Sequence, residues 1–177
     1  LHHLSYKGGL GSVAVSAFLV IAGFVSANNL MKFDTINVKT ITDYYLSRAI
    51  RLYPVHILTF IISLPIMHYH YSHLKYSFFD IIVNLLLLQS WFPAGIKIFY
   101  FNSVSWFISD IVFFSLMTPF LLFCMRKSRI SASITKLLIL GVILWGIAVF
   151  ITLKFKGEMA PYSFGWWFIY ASPYFRL

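Results

Sequence analysis

Charged residues are scarce in this 177-residue chain, and acidic residues are the scarcest of them. Only 11% of the residues are charged, with 14 Lys and Arg against 5 Asp and Glu, while 60% are hydrophobic. Soluble domains carry roughly a quarter charged residues. The composition therefore excludes an ordinary soluble domain and predicts an integral membrane protein.

Familiar signs of disulfide, metal or nucleotide chemistry are also missing. The single cysteine, Cys124, excludes an intrachain disulfide. No phosphate-binding GxxxxGK loop, GxSxG elbow or HExxH zinc motif occurs. His68, His70 and His73 could hold zinc by number, but no nearby cysteine or acid completes a ligand set. A solvated loop is the preferred interpretation, and no metal site is predicted.

The basic residues lie in short segments between long apolar runs. A sequence pI near 9.7 would suggest nucleic-acid binding in a soluble domain, but this distribution is typical of membrane topology. Tyrosines and tryptophans gather near the ends of the apolar runs, as expected at a membrane–water interface. We therefore expect membrane lipid, and no nucleic acid, as a partner.

The apolar runs predict an all-α fold, a polytopic membrane helix bundle. Spans are predicted at about residues 11–31, 53–67, 104–125 and 137–153, with a partial span at 163–177. The run over about residues 79–92 is too short to cross, because crossing takes roughly 20 residues. It predicts a re-entrant or interfacial segment.

The distribution of cations indicates whether residues 79–92 cross the membrane or enter it and return on the same side. Lys32 to Arg51 forms a polar connection that the positive-inside rule places in the cytoplasm, so the first span runs inward. If residues 79–92 crossed, the cations between Arg126 and Lys136 would lie outside. A dip keeps them in the cytoplasm and is preferred. The chain is then a multi-pass cell-membrane protein with His2 and His3 at the outer edge.

Arg48 and Arg51 are the first candidate site residues. They are three residues apart, so on a helix their side chains share a face and can form one cationic patch. A guanidinium presents a planar fork that suits phosphate or carboxylate. The alternative is that both are positive-inside anchors near lipid headgroups. Pro54 predicts that a new helix begins nearby.

Asp110, His2 and His3 are the other candidates. Asp110 is the one acid inside a strongly apolar span, four residues after Trp106, and an intramembrane carboxylate needs a partner or a water-filled cavity. The alternative is that it caps or hydrates near the outer end of its helix. His2 and His3 could supply a general base, because imidazole titrates nearest to neutrality.

Four stretches in order carry a family resemblance: GSVAVSAFLVIAGF at residues 11–24, SRAIRLYP at 47–54, WFISDIVFFSLMTP at 106–119 and PYFRL at 173–177. They resemble the motifs VSFFFVLSGF, RRxxRIYP, WSISDExFFYLLFP and PxxRLPEF of the acyltransferase 3 family of integral membrane acyltransferases. The chain departs from the pattern at Ala22 for Ser, Ser47 for Arg, Ile111 for Glu and Ser115 for Tyr. We expect a single partial domain over residues 1–177, without the family's first helix and its later helices.

The resemblance implies transfer of an acyl group, commonly acetyl, from acyl-CoA in the cytoplasm to a hydroxyl of a sugar or glycopolymer outside. Arg48 and Arg51 would bind the CoA phosphates, His2 or His3 would act as base, and Asp110 would orient that histidine. Two alternatives stay open: a non-catalytic lipid or glycan transport component, favoured by the missing Glu, and an inactive truncated family member.

Overall fold

The computed structural model describes residues 8–32, 37–70, 76–128, 133–158 and 160–176, and within these ranges it contains helices and turns but no β-strand. The helices are α1 (Gly8–Met31), α2 (Val38–His70), α3 (Phe78–Leu85), α4 (Ser105–Ser128), α5 (Ile134–Lys154), α6 (Phe164–Tyr170) and α7 (Pro173–Arg176), with short 3-10 turns at Gly95–Phe99 and Lys156–Glu158. Within the same ranges α1, α2, α4 and α5 are long and apolar enough to cross a membrane. The predicted all-α polytopic class is confirmed.

Helix α2 begins well before the proline that was expected to start it. The Asn37 side chain accepts a hydrogen bond from the Thr40 N–H (2.8 Å) and so caps the helix start. Both Pro54 and Pro65 lie inside the helix. The predicted polar connection over residues 32–51 and the helix start near Pro54 are therefore wrong. A proline removes one backbone donor, and a membrane helix tolerates that loss where neighbouring groups satisfy the freed carbonyl.

Helices α1 and α4 run in the same direction. Phe18 and Phe107 pack edge to face near the helix starts, with ring centroids 5.2 Å apart. Leu30 and Leu122 share one buried cluster near the helix ends. Contacts at both ends in the same order establish a parallel pair.

Helix α2 is antiparallel to α1 and α4. The Tyr45 hydroxyl, near the start of α2, donates to the Leu116 carbonyl at the middle of α4 (3.0 Å). Further along α2, Thr59 accepts from the amide of Asn102, just before α4 begins (3.2 Å). The segment between α2 and α4 must therefore enter and leave on one side of the bundle.

That segment runs along α2 and then returns to the side it came from, and a re-entrant position in the membrane stays a prediction. Tyr76 at its entrance and Phe101 at its exit are in ring contact, with centroids 5.5 Å apart. Between them the chain descends along α2, where the Tyr53 hydroxyl donates to the Leu86 carbonyl (3.2 Å). The turn then passes through Leu87, a buried residue with a positive φ of 58°, a conformation that is uncommon for a bulky side chain.

The direction of the helices gathers cations at one end of the bundle. We call this the basic end: α1 and α4 end there, and α2 begins there. The described cations at this end are Lys32, Lys39, Arg48, Arg51, Arg126, Lys127 and Lys136. This is the distribution that the positive-inside rule predicts for a cytoplasmic side.

The carboxyl-terminal part differs from a simple inward span. The predicted partial span at residues 163–177 consists of α6 and α7, which are separated at Ala171 and Ser172 because Pro173 begins a new helix. The Trp167 indole donates to the Ser90 carbonyl of the re-entrant segment (3.0 Å). Tyr174 packs on Phe113 of α4, with centroids 5.2 Å apart. Both short helices thus hold the re-entrant turn against α4.

An ion pair joins the beginning of the re-entrant segment to its returning part. Asp80 in α3 accepts from the Lys97 ammonium (2.8 Å) and from the Ser77 N–H (2.8 Å). Burial alone would raise the pKa of Asp80, but the hydrogen bonds from Lys97 and Ser77 and the charge of Lys97 outweigh it and hold the pKa below its usual value.

Acid is therefore expected to weaken the contact between Asp80 and Lys97. Because the folded-state pKa of Asp80 lies below the unfolded value of about 3.9, its contribution to stability is present above about pH 4 and is lost as the pH falls through the folded pKa. Lys97 is 40% exposed, so solvent limits the effect to under about 1 kcal/mol. Thermal unfolding at pH 7 and pH 3 tests this. Asp80→Asn should shrink the difference between the two pH values.

Candidate active site

Arg48 is held in place by residues of two helices. Its Nη2 donates to the Ser26 hydroxyl of α1, and that hydroxyl in turn donates to the Ala22 carbonyl. The guanidinium carbon lies 5.6 Å from the centre of the Tyr44 ring, within the range of a cation–π interaction. The fork is therefore oriented before any ligand arrives, and a guanidinium has five N–H donors.

The two arginines share one cavity at the basic end. It has a volume of about 310 Å³ and lies between the end of α1 and the start of α2. Arg48 is half-buried and Arg51 is exposed. The cavity is lined by Asn29, Leu30, Lys32, Thr40, Asp43, Tyr44, Ser47, Arg48 and Arg51. Three cations face one carboxylate there, so the cavity suits an anion, as predicted for the arginine pair.

A second, apolar cavity is also lined by Arg48 and extends along α2 from Tyr45 to Tyr53. Its volume is about 390 Å³, and it lies between α2, α4 and the turn of the re-entrant segment. Its lining includes Leu52 and Tyr53 of α2 and Leu86 of the turn. Arg48 also lines the cationic cavity, so the two cavities have this residue in common.

A third cavity, of about 570 Å³, lies beside the motif at residues 11–24. It lies between α1, α4 and the carboxyl-terminal helices α6 and α7, and its lining includes Ser16, Gly23 and Phe24 of that motif. A Cβ atom added to Gly23 would meet nothing within 4 Å. The Gly23 backbone thus opens onto free space between the two parallel helices.

Asp110 lies deep inside the bundle. Its side chain is 0% exposed, and it sits in the interior of α4, one turn after Trp106. Asp110 is the sixth residue of α4 and lies near the start of the helix, but its burial keeps the carboxylate out of contact with bulk water. Along α4 it falls between Asn102 and Leu116, which contact Thr59 and Tyr45 of α2. Asp110 thus lies level with the part of α2 that carries both arginines.

The described histidine side chains lie outside the two cavities that Arg48 lines. His2 and His3 lie outside the described residues, as does His73. His68 is exposed at the far end of α2. Within the described ranges no group of three His, Cys, Asp or Glu side chains could hold a metal ion. Ile111, where the family motif has Glu, is buried beside Asp110.

Reasoning from sequence missed a buried polar seam between α4 and the re-entrant turn. Ser109 Oγ donates to the Leu87 carbonyl (2.6 Å) and accepts from Ser90 Oγ (2.7 Å). Gln89 Nε2 donates to Ser105 Oγ (2.9 Å). The available signal was the spacing of Ser105 and Ser109, four residues apart and hence on one face of α4.

These features define a polytopic membrane protein with a preorganised cationic cavity at one end and an apolar cavity leading inward from it. The chain belongs to the acyltransferase 3 family, because the family model described as an acyltransferase domain matches residues 1–177. It is also similar to acyltransferase MdmB of Streptomyces mycarofaciens, with 34% identity over 122 residues. That match covers 67% of this chain and 30% of the relative. No solved structure matches.

Proposed function

We propose that this protein moves an acyl group, commonly acetyl, from acyl-CoA at the basic end to a hydroxyl of a sugar or glycopolymer on the other side of a bacterial cell membrane. The observation that carries the proposal is the cavity shared by Arg48 and Arg51 in a chain of the acyltransferase 3 family. A cationic cavity at the end that the positive-inside rule assigns to the cytoplasm faces the compartment where acyl-CoA is found.

The arginines bind the phosphate groups of the donor. Hydrogen bonds between a guanidinium and a phosphate are charge-assisted and often two-pronged. Arg48 is already oriented by Ser26 and Tyr44, so little side-chain freedom is lost on binding. Arg51 and Lys32 add charge around the same cavity.

The apolar cavity beyond Arg48 holds the pantetheine arm and its thioester. It is lined by Arg48 and extends along α2 to Tyr53, beside Leu86 of the re-entrant turn, so the arm would lie next to the residue that binds phosphate. Excluding water from this cavity would protect the thioester from hydrolysis. The apolar cavity shares Arg48 with the cationic cavity, whereas the cavity beside residues 11–24 does not.

His2 or His3 takes the proton from the acceptor hydroxyl as its oxygen bonds to the thioester carbonyl carbon. The carbon–sulfur bond then breaks, the thiolate leaves, and the proton passes to sulfur, so ester and free CoA are the products. Asp110, buried inside α4, holds the histidine in the required orientation.

A non-catalytic role in lipid or glycan transport is the second candidate. The observation that favours it is Ile111, which occupies the position of the family's Glu next to Asp110. In that case the arginines would hold lipid headgroup phosphates, and Asp110 would line a pathway for the transported molecule.

Radiolabelled acetyl-CoA distinguishes the two functions. Membranes containing the full-length protein are expected to transfer label to a product that is no longer a thioester, and His2→Ala combined with His3→Ala should reduce transfer at least about 100-fold, within the range that a general base supplies. Normal membrane insertion of the variant is the control. Unchanged transfer in the double variant would remove the histidine assignment, and no transfer by the wild type would favour transport.

A further inference from the structure

Six polar side chains connect α2, the re-entrant segment and the start of α4. On the α2 side, His56 Nε2 lies 3.1 Å from the Asn84 carbonyl, and Thr59 accepts from the Asn102 amide (3.2 Å). On the α4 side, the bonds run from Gln89 to Ser105 and from Ser105 Oγ to the Asn102 carbonyl. Together with the bond from the Thr59 hydroxyl to the His56 carbonyl, these contacts connect six residues in one series that is open between Asn84 and Gln89. We call it the polar ring: His56, Thr59, Asn84, Gln89, Asn102 and Ser105.

Each side chain of the polar ring already has one N–H or O–H bonded within the protein. The Thr59 hydroxyl bonds carbonyls of its own helix, and the Ser105 hydroxyl bonds the Asn102 carbonyl. The amide nitrogens of Asn84 and Gln89 donate to the Asp80 carbonyl and to Ser105 Oγ. These bonds fix the orientation of both amides, so their oxygens are the atoms left to accept.

Three acceptors in the ring lack a donor. They are His56 Nδ1, Asn84 Oδ1 and Gln89 Oε1, each buried and without a hydrogen-bond partner among the described residues. Their side chains belong to residues that are only 1%, 2% and 1% exposed. Buried polar groups are normally satisfied, and leaving one unpaired is costly. These three buried acceptors are therefore available to a bound donor.

The tautomer of His56 follows from the same contacts. A backbone carbonyl can only accept, so His56 Nε2 carries the hydrogen, and Nδ1 of the neutral ring is a basic lone pair. His56 lies one turn beyond Tyr53, and Tyr53 and Leu86 line the apolar cavity. The ring thus follows directly after the inner end of that cavity.

We propose that the polar ring is a binding site for a hydroxyl group, of a water molecule or of an alcohol, which donates its proton to His56 Nδ1. A hydroxyl supplies the donor that the ring lacks. A cation is a poorer match, because the ring contains no carboxylate to offset a buried charge. The inference rests on the proposed function in one respect: an alcohol bound there would be an acyl acceptor that His56 holds close to the thioester before His2 or His3 takes its proton.

Nitrogen NMR tests the binding site without any enzymatic assay. The full-length protein, labelled with ¹⁵N-histidine in lipid nanodiscs, should show His56 protonated at Nε2 and hydrogen-bonded as an acceptor at Nδ1, with His56→Gln identifying its signals. A saturable shift of the Nδ1 signal on adding glycerol or methyl glucoside supports an alcohol. A hydrogen-bonded signal that ignores both probes supports water. A signal typical of a free acceptor that responds to neither probe would overturn the proposal.

A kinetic measurement then separates the site from the proposed reaction. His56→Gln keeps an N–H that can reach the Asn84 carbonyl but removes the basic nitrogen. If the bound hydroxyl is the acyl acceptor, acetyl-CoA turnover should fall about tenfold or more while KM for acetyl-CoA stays within about twofold. Unchanged turnover with the NMR signature present would leave the hydroxyl site intact and remove its role as acceptor site. Absence of all transfer in the wild type would affect only the proposed function.

Discussion

Arg48→Ala is expected to weaken acyl-CoA binding by roughly tenfold to a hundredfold. Hydrogen bonds to charged groups contribute about 1.5–3 kcal/mol, and each 1.4 kcal/mol corresponds to a factor of ten in affinity. Arg48 should matter more than Arg51, because Arg48 is half-buried and anchored by Ser26 and Tyr44 whereas Arg51 is exposed. Equilibrium binding of labelled acetyl-CoA to membranes measures both effects.

Two further substitutions separate a specific phosphate site from general charge. Arg48→Lys keeps the charge but loses the planar fork, so we expect it to recover only part of the affinity. Lys127→Ala removes one charge from the basic end, at an exposed residue of α4 outside the cationic cavity, and should change binding less than twofold, because exposed charges are strongly screened. Equal losses in Arg48→Ala and Lys127→Ala would show that the arginine acts through overall charge alone.

The re-entrant segment could be predicted because two independent constraints agreed. The apolar run over about residues 79–92 was too short to cross, and crossing would have placed the cations after α4 on the wrong side. The ring contact between Tyr76 and Phe101 and the antiparallel pairing of α2 with α4 give the same answer. Length and charge are properties of single segments, so they remain visible without a structure.

The predicted start of α2 was wrong for a local reason. Pro54 was given the meaning it has in water-soluble helices, where a proline usually lies in the first turn. In α2 the helix was already established by the Asn37 cap, and a single missing N–H did not end it. A cap formed by one asparagine in a polar stretch is a weaker pattern than a proline, which explains the error.

The sequence predicted the arginine pair of the candidate site but not the partners of its side chains. Arg48 and Arg51 were found because helical spacing places them together. The Ser26 partner of Arg48 lies 22 positions away, and His56 meets the Asn84 carbonyl across 28 positions. Contacts of this kind depend on how the re-entrant turn packs, and no local spacing encodes them. Single polar residues inside apolar runs were the only hint.

Ser109→Ala should destabilise the protein by about 1–3 kcal/mol, because it leaves buried polar groups without partners. The Ser109 hydroxyl donates to the carbonyl of Leu87, a residue held at positive φ, and accepts from the Ser90 hydroxyl. Removing it withdraws both bonds at the point where the re-entrant turn meets α4. The neighbouring Asp110 and the Trp167 bond to Ser90 should lose their fixed positions as a result.

Ser128→Ala is the matched control, because it makes the same substitution in the same helix. Ser128 is exposed and its hydroxyl bonds carbonyls one turn earlier in α4, so we expect a change within about 0.5 kcal/mol. Thermal unfolding in detergent measures both variants, and protease cleavage within residues 86–94 reports on the turn itself. If the two variants unfold alike, the hydroxyl seam does not hold the re-entrant segment, and packing of Trp167 and Tyr174 alone would have to do so.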